Sequence, residues 1–169
     1  MINFRKKFKN VGPLEVLVFV SVLYVVIMLI WTATTREAVL EKANSIKSNH
    51  KSVVDLLNNE INKCTQDLEK QTSWGENCNS IWTSSTIVDY ILKNVQLKNP
   101  YSIRKPLVQS SADPRIDAEG KAGQLTNKGI IFVSLNDFSA EAGSEWIIGT
   151  CVKSPCVAAG NNELVSVYR

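Results

Sequence analysis

Between Val16 and Ala33 there is no charged residue, and between Leu14 and Trp74 there is neither glycine nor proline. The first absence leaves a run, VLVFVSVLYVVIMLIWTA, close to the length that crosses a hydrocarbon core roughly 30 Å thick. The second permits one helix to continue past that core, to about Leu68. Histidine is almost missing too: His50 is the only one, and metal or catalytic chemistry would need partners that no nearby motif supplies, so a packed or partly exposed histidine is expected. P-loop, zinc-ligand helix and Rossmann signatures are absent, and the chain is read as a non-enzyme without metal or cofactor. Paired CxxC knuckles are absent as well, which argues against a four-cysteine zinc site.

The chain has 169 residues, enough for one domain plus an anchor. Its net charge of +3 is uneven. Arg5, Lys6, Lys7 and Lys9 contribute more than that total, leaving −1 for everything after them. A nucleic-acid-binding stripe is therefore not indicated. Basic residues precede the apolar run, while Arg36, Glu37, Glu41 and Lys42 follow it as a mixed flank, so the positive-inside bias keeps the N-terminus cytoplasmic and exports the rest. No small-x-small motif closes the run, as a cleaved signal peptide would require. The expected organisation is a basic leader (1–10), a membrane-spanning half-helix (11–33), an amphipathic half-helix (34–70) and a globular part (71–169).

Within the extension Val39, Ala43, Ile46, His50, Val53, Leu57, Ile61, Cys64 and Leu68 recur at steps of three and four, a narrow apolar stripe that needs a cover. Farther on, Ser84 or Ser85 is expected to cap a short helix to about Val95, with Ile87, Val88, Ile91, Leu92 and Val95 as its apolar face, before Asn99-Pro100-Tyr101. Gly129–Leu135, Glu145–Val152 and Glu163–Tyr168 are short, β-branched and bounded by turn residues, which predicts three strands, with Leu107–Gln109 as a fourth. The fold class is thus α+β, a long N-terminal helix laid on a small antiparallel sheet.

Cys64, Cys78, Cys151 and Cys156 all lie beyond the apolar run, and an even count in an exported segment favours disulfides. Of three connectivities the local pair, Cys64 with Cys78 and Cys151 with Cys156, is preferred, because each closes a short polar loop holding Gly or Pro. Asp113, Asp117 and Glu119 share a loop with Pro and Gly. They lack EF-hand spacing and are read as solvated charge rather than as a calcium site.

At the start of the run, Val11-Gly12-Pro13-Leu14-Glu15 reads as a helix beginning, with Gly12 as N-cap, Pro13 at the first helical position and the Glu15 carboxylate at the positive end of the dipole. An ionisable group at the edge of a membrane span also asks for a partner. Leu14-Glu15-Val16-Leu17-Val18-Phe19-Val20-Ser21-Val22-Leu23 resembles the N-terminus of bacterial type IV pilins and pseudopilins. That resemblance implies a pilin-like fold and a subunit held in the inner membrane until it polymerises into a pilus through its N-terminal helix. Such filaments serve adhesion, motility or DNA uptake. It further implies that a prepilin peptidase removes the leader, that the new amine is methylated, and that Glu15 pairs with the amine of a neighbouring subunit during assembly by inner-membrane machinery. Cleavage between Asn10 and Val11 makes Glu15 the fifth mature residue, as in the family. Cleavage after Gly12 satisfies the family's glycine before the cut but makes Glu15 the third. Asn-Pro-Tyr turns and a disulfide-bounded loop near the C-terminus are also similar to the family. Two alternatives stand beside the pilus subunit: a secretion-system pseudopilin, and a signal-anchored extracytoplasmic binding or sensor module.

Overall fold

In the computed structural model of the protein, residues 12–66, 68–114, 127–137 and 144–169 are described. They fall into two units, Met1–Glu41 and Lys42–Arg169. Helix α1, Pro13–Thr65, runs without interruption through the stretch that lacks glycine and proline. In the first unit its side chains from Leu14 to Trp31 are exposed, and it is the one helix among the described residues long and apolar enough to cross a membrane. Hydroxyls there are satisfied by the helix's own carbonyls: Ser21 donates to Val18 O at 2.8 Å and Thr32 to Leu29 O at 2.9 Å. In an apolar solvent such internal bonds remove the cost of an unpaired polar group.

In the second unit α1 presents one buried stripe, Ala43, Ile46, His50, Val53, Leu57 and Ile61. Val39 and Leu68, the ends of the predicted stripe, are exposed. The helix stops at Thr65, short of Leu68, where the Leu68 N–H donates back to Lys63 O at 3.0 Å. That six-residue closure satisfies a terminal carbonyl and turns the chain away. Helix α2, Ser84–Asn94, buries Ile87, Val88 and Ile91. Leu92, expected on the same face, is exposed. Its N-cap is Thr83 rather than Ser84 or Ser85. A distant carboxylate tends this end: Glu76 accepts from the Thr86 hydroxyl at 2.9 Å and from the Thr83 N–H, an anion at the positive end of the helix dipole. The helix ends ahead of Asn99-Pro100, at Asn94.

Four strands form one sheet in the order β1-β2-β3-β4: Val108–Ser110, Ile131–Asp137, Ser144–Cys151 and Asn162–Tyr168. β2, β3 and β4 are an antiparallel meander, with Val133 opposite Ile148 and Ile148 opposite Val165. The sheet is not wholly antiparallel as expected, because β1 pairs with β2 in parallel, Val108 against Ile131. A parallel neighbour needs a connection of a dozen or more residues, and the long stretch between Ser110 and Ile131 provides one. Alternate residues Ile131 and Val133 of β2, Trp146 and Ile148 of β3, and Val167 of β4 join Ile46, Val53, Leu57 and Ile61 of α1 in one core with Trp82, Ile87 and Ile91. The period of two on strands thus meets the period of 3.6 on the helix.

Glu60 is buried on α1 among apolar neighbours. Its carboxylate accepts from the Ser73 N–H at 2.8 Å, the Ser73 hydroxyl at 2.7 Å and the Lys63 ammonium at 2.9 Å. It thereby fastens the loop after α1, whose Trp74 packs edge-on against Trp82 with centroids 5.1 Å apart. Burial pushes the Glu60 pKa up, but the hydrogen bonds from Ser73 and Lys63 outweigh it and hold the carboxyl below its usual range. Glu60→Ala leaves the Ser73 donors without their acceptor and should lower stability by about 1–3 kcal/mol in chemical denaturation. Since the folded pKa is depressed, the wild-type contribution is present above pH 4.5, the ordinary value, and is lost as pH falls through the lowered one. The Ala variant should lack that acid limb.

Candidate functional site

Asn10 and Val11 lie outside the described residues; Gly12 and Glu15 are within them. Gly12 precedes the helix, and its carbonyl accepts from the N–H groups of Glu15 at 3.1 Å and Val16 at 3.2 Å. The Gly12 N–H donates to Glu15 Oε2 at 3.2 Å. This is the returning half of a capping box: the third helical residue reaches back to the N-cap amide. Pro13 at the first helical position loses nothing by having no N–H there. A single carboxylate is therefore held at the helix start, exposed, with a fully apolar surface beginning at the next residue, Val16. Along this end Pro13, Val16, Leu17, Val20, Ser21, Tyr24 and Val25 form one exposed, largely apolar face of the helix. A carboxylate beside such a surface has the chemistry to take a cation and to pack against a second apolar helix.

Both disulfides are the local ones, Cys64–Cys78 and Cys151–Cys156, and no cysteine is free. The first joins the end of α1 to the loop that Glu60 holds. The second closes the loop beyond β3, where Asn162 Nδ2 also donates to Cys156 O at 3.0 Å. Asp117 and Glu119 lie outside the described residues. Asp113 is within them, and its N–H donates to the Ser111 hydroxyl at 3.0 Å. Among the described residues no group of three His, Cys, Asp or Glu side chains is arranged to hold a metal ion.

No protein-family model, no curated protein and no solved structure matches the chain. Function must then be read from the residues themselves. Two features escaped sequence reading. Glu60 looks like a solvated helix charge, because its partner Ser73 is remote and marked by no motif. Tyr101, read in the sequence only as part of an Asn-Pro-Tyr turn, donates its hydroxyl to Val152 O at 2.8 Å and carries the Lys128 ammonium 4.2 Å from its ring centre.

His50 is packed in the stripe, as its spacing suggests, with only 4% of its surface accessible and no hydrogen-bond partner at either ring nitrogen. Burial lowers its pKa, and the opposing attraction of Glu163 on β4 is the weaker influence. Glu163 is itself engaged by Lys47, one turn earlier on α1, at 2.8 Å. The neutral imidazole belongs to the fold and the charged one does not. Below the ordinary value of 6.5 the unfolded chain binds a proton that the folded chain refuses, so stability falls as pH drops from there toward the lowered value. Thermal melts should show a Tm that falls as pH is lowered from neutrality through 6.5. His50→Leu should flatten that slope, whereas a slope unchanged in the variant would assign it to other groups.

Proposed function

We propose that the chain is a pilin-like filament subunit, stored in a membrane through the first part of α1 and assembled through that same segment with other copies. The observation that carries this reading is the carboxylate of Glu15, fixed on the first turn of a helix whose following side chains are apolar and exposed all round. Beyond its capping role, a carboxylate at the edge of a membrane span asks for a partner. The amine of a processed neighbour is a partner of the right charge. The capped helix start, the amphipathic continuation and the sheet that covers its stripe support the same reading. The leader and prepilin-peptidase processing between Asn10 and Val11, or after Gly12, belong to it, as does export of the folded part with the N-terminus left cytoplasmic. Whether the filament is a pilus or the pseudopilus of a secretion system depends on partner machinery rather than on the subunit's own physics.

A signal-anchored binding or sensor module is the second reading, favoured by the same capping bond, which gives Glu15 an intrachain role. Intact-mass analysis of membrane-extracted protein separates the two. The expected chain begins at Val11 or Pro13 and carries a methyl group on its terminal amine; an intact chain beginning at Met1 contradicts the filament reading. Glu15→Ala should leave membrane insertion unchanged and remove the protein from sheared surface fractions. Equal recovery of variant and wild type in those fractions would reduce Glu15 to a helix-start residue.

A further inference from the structure

The segment 98–106 forms a loop whose base is rigid and whose tip is bare. Asn99 Oδ1 accepts the Tyr101 N–H at 2.9 Å, and Asn99 O accepts the Ser102 N–H at 3.3 Å. Asn49 of α1 donates to Lys98 O at 3.2 Å. Gly129, at φ +79°, lies so close that a Cβ there would come within 2.6 Å of Asn99 Oδ1 and 2.7 Å of the Tyr101 ring. The Tyr101 hydroxyl fastens the loop to Val152. Beyond this base, Ile103 is exposed to 103% of its reference surface. A β-branched apolar residue held out at full exposure on a pinned loop contributes nothing to the core.

Cations lie in the same loop and over its Tyr101 base. Arg104 and Lys98 are exposed in the same loop, and the ammonium groups of Lys128 and Lys42 lie 4.2 and 6.0 Å from the centre of the Tyr101 ring. The loop 98–106 itself carries Lys98, Arg104 and Lys105 and no aspartate or glutamate, so it is locally basic within a part of the chain whose net charge is −1. Lys42 is also the first residue of the folded unit, and Ala33, the end of the apolar run, is nine positions before it in sequence. Even fully extended, those positions span at most roughly 30 Å.

We propose that this loop and the lysines beside it form a docking surface for anionic lipid headgroups, with Ile103 entering the interface of the leaflet that faces the folded unit. The proposal rests on the reading that the apolar run is inserted in a bilayer. Tethering by that run makes headgroup contact effectively intramolecular, so modest attraction suffices. Lysine and arginine near an anionic surface add attraction individually, and an apolar residue among them buries its side chain at the acyl boundary. A single-stranded nucleic acid is the poorer fit, since it would need open aromatic faces for its bases. The aromatic ring in the patch, Tyr101, is instead covered by Lys128 and fastened through its hydroxyl.

All native cysteines are bonded, so Ile103→Cys in the full-length chain supplies a single thiol for an environment-sensitive NBD label. Reconstituted into phosphatidylcholine vesicles with and without phosphatidylglycerol, the labelled protein should show a blue shift and a several-fold rise in emission only with the anionic lipid. Lys42→Glu with Arg104→Glu in the same background should abolish the response. Co-flotation with both vesicle types but an aqueous NBD spectrum in both overturns the docking surface while leaving the anchor intact. An equal shift in both lipids overturns headgroup recognition. Failure to co-float sinks the anchor reading and the docking surface with it. A labelled oligonucleotide that binds the Cys variant's parent protein, and loses binding in the double Glu variant, while the lipid response is absent, would reassign the patch to nucleic acid.

Discussion

The backbone hydrogen bonding of one uninterrupted helix is the constraint from which the remainder follows. Because every interior N–H and C=O of α1 is paired within the segment, its side chains alone decide which solvent each part occupies. From Val16 to Trp31 they are apolar on all sides, and no face is reserved for a core. From Ala43 to Ile61 only a stripe is apolar, and the sheet with α2 covers it. A glycine or proline in the interior of α1, between Leu14 and Thr65, would have weakened the continuity on which this division depends.

What was legible in the sequence is what periodicity encodes. The helix, its stripe, the second helix and the three meander strands all announce themselves by recurrence of apolar residues, and their limits shift by only a few positions. The pieces that were not legible depend on contacts between residues far apart in the chain. Nothing in Val108–Ser110 specifies a parallel neighbour, because three residues carry no directional signal and the pairing is chosen by how the chain returns to Ile131. Ser84 and Ser85 are good capping residues in isolation, but Glu76 reaches the helix start from the preceding loop and makes Thr83 the boundary. Leu92 obeys the apolar pattern of α2 and yet faces water, since an eleven-residue helix against one core has a narrower buried arc than the pattern admits.

Buried polar groups show a related division. Glu60 is satisfied by three donors, and the cost of burying a carboxylate is offset by charge-assisted bonds that also order a loop. His50 has no such partners and stays within the core only as the neutral imidazole. One group therefore ties stability to the carboxylate range and the other to the range just below neutrality; both pKa values are displaced downward, with the same consequence: the fold weakens as acid is added.

For the filament reading, the bond from Gly12 N–H to Glu15 gives the two possible processing positions different physical meanings. Removal of residues through Asn10 retains Gly12, so the Glu15 carboxylate keeps its capping donor and a neighbouring amine must compete with that bond. Removal through Gly12 deletes the donor along with the residue, leaving the carboxylate without its capping bond at the start of an apolar helix, where an ionisable group asks for a partner. An exposed capping bond contributes only on the order of 1 kcal/mol, which a charge-assisted bond to an amine in a low-dielectric setting exceeds. Competition by Gly12 therefore does not prevent pairing after the earlier cut. In that reading the spacing that makes Glu15 the fifth mature residue and the chemistry that favours an ammonium over an amide are compatible, and the capping bond would hold the carboxylate in position until a neighbour displaced it.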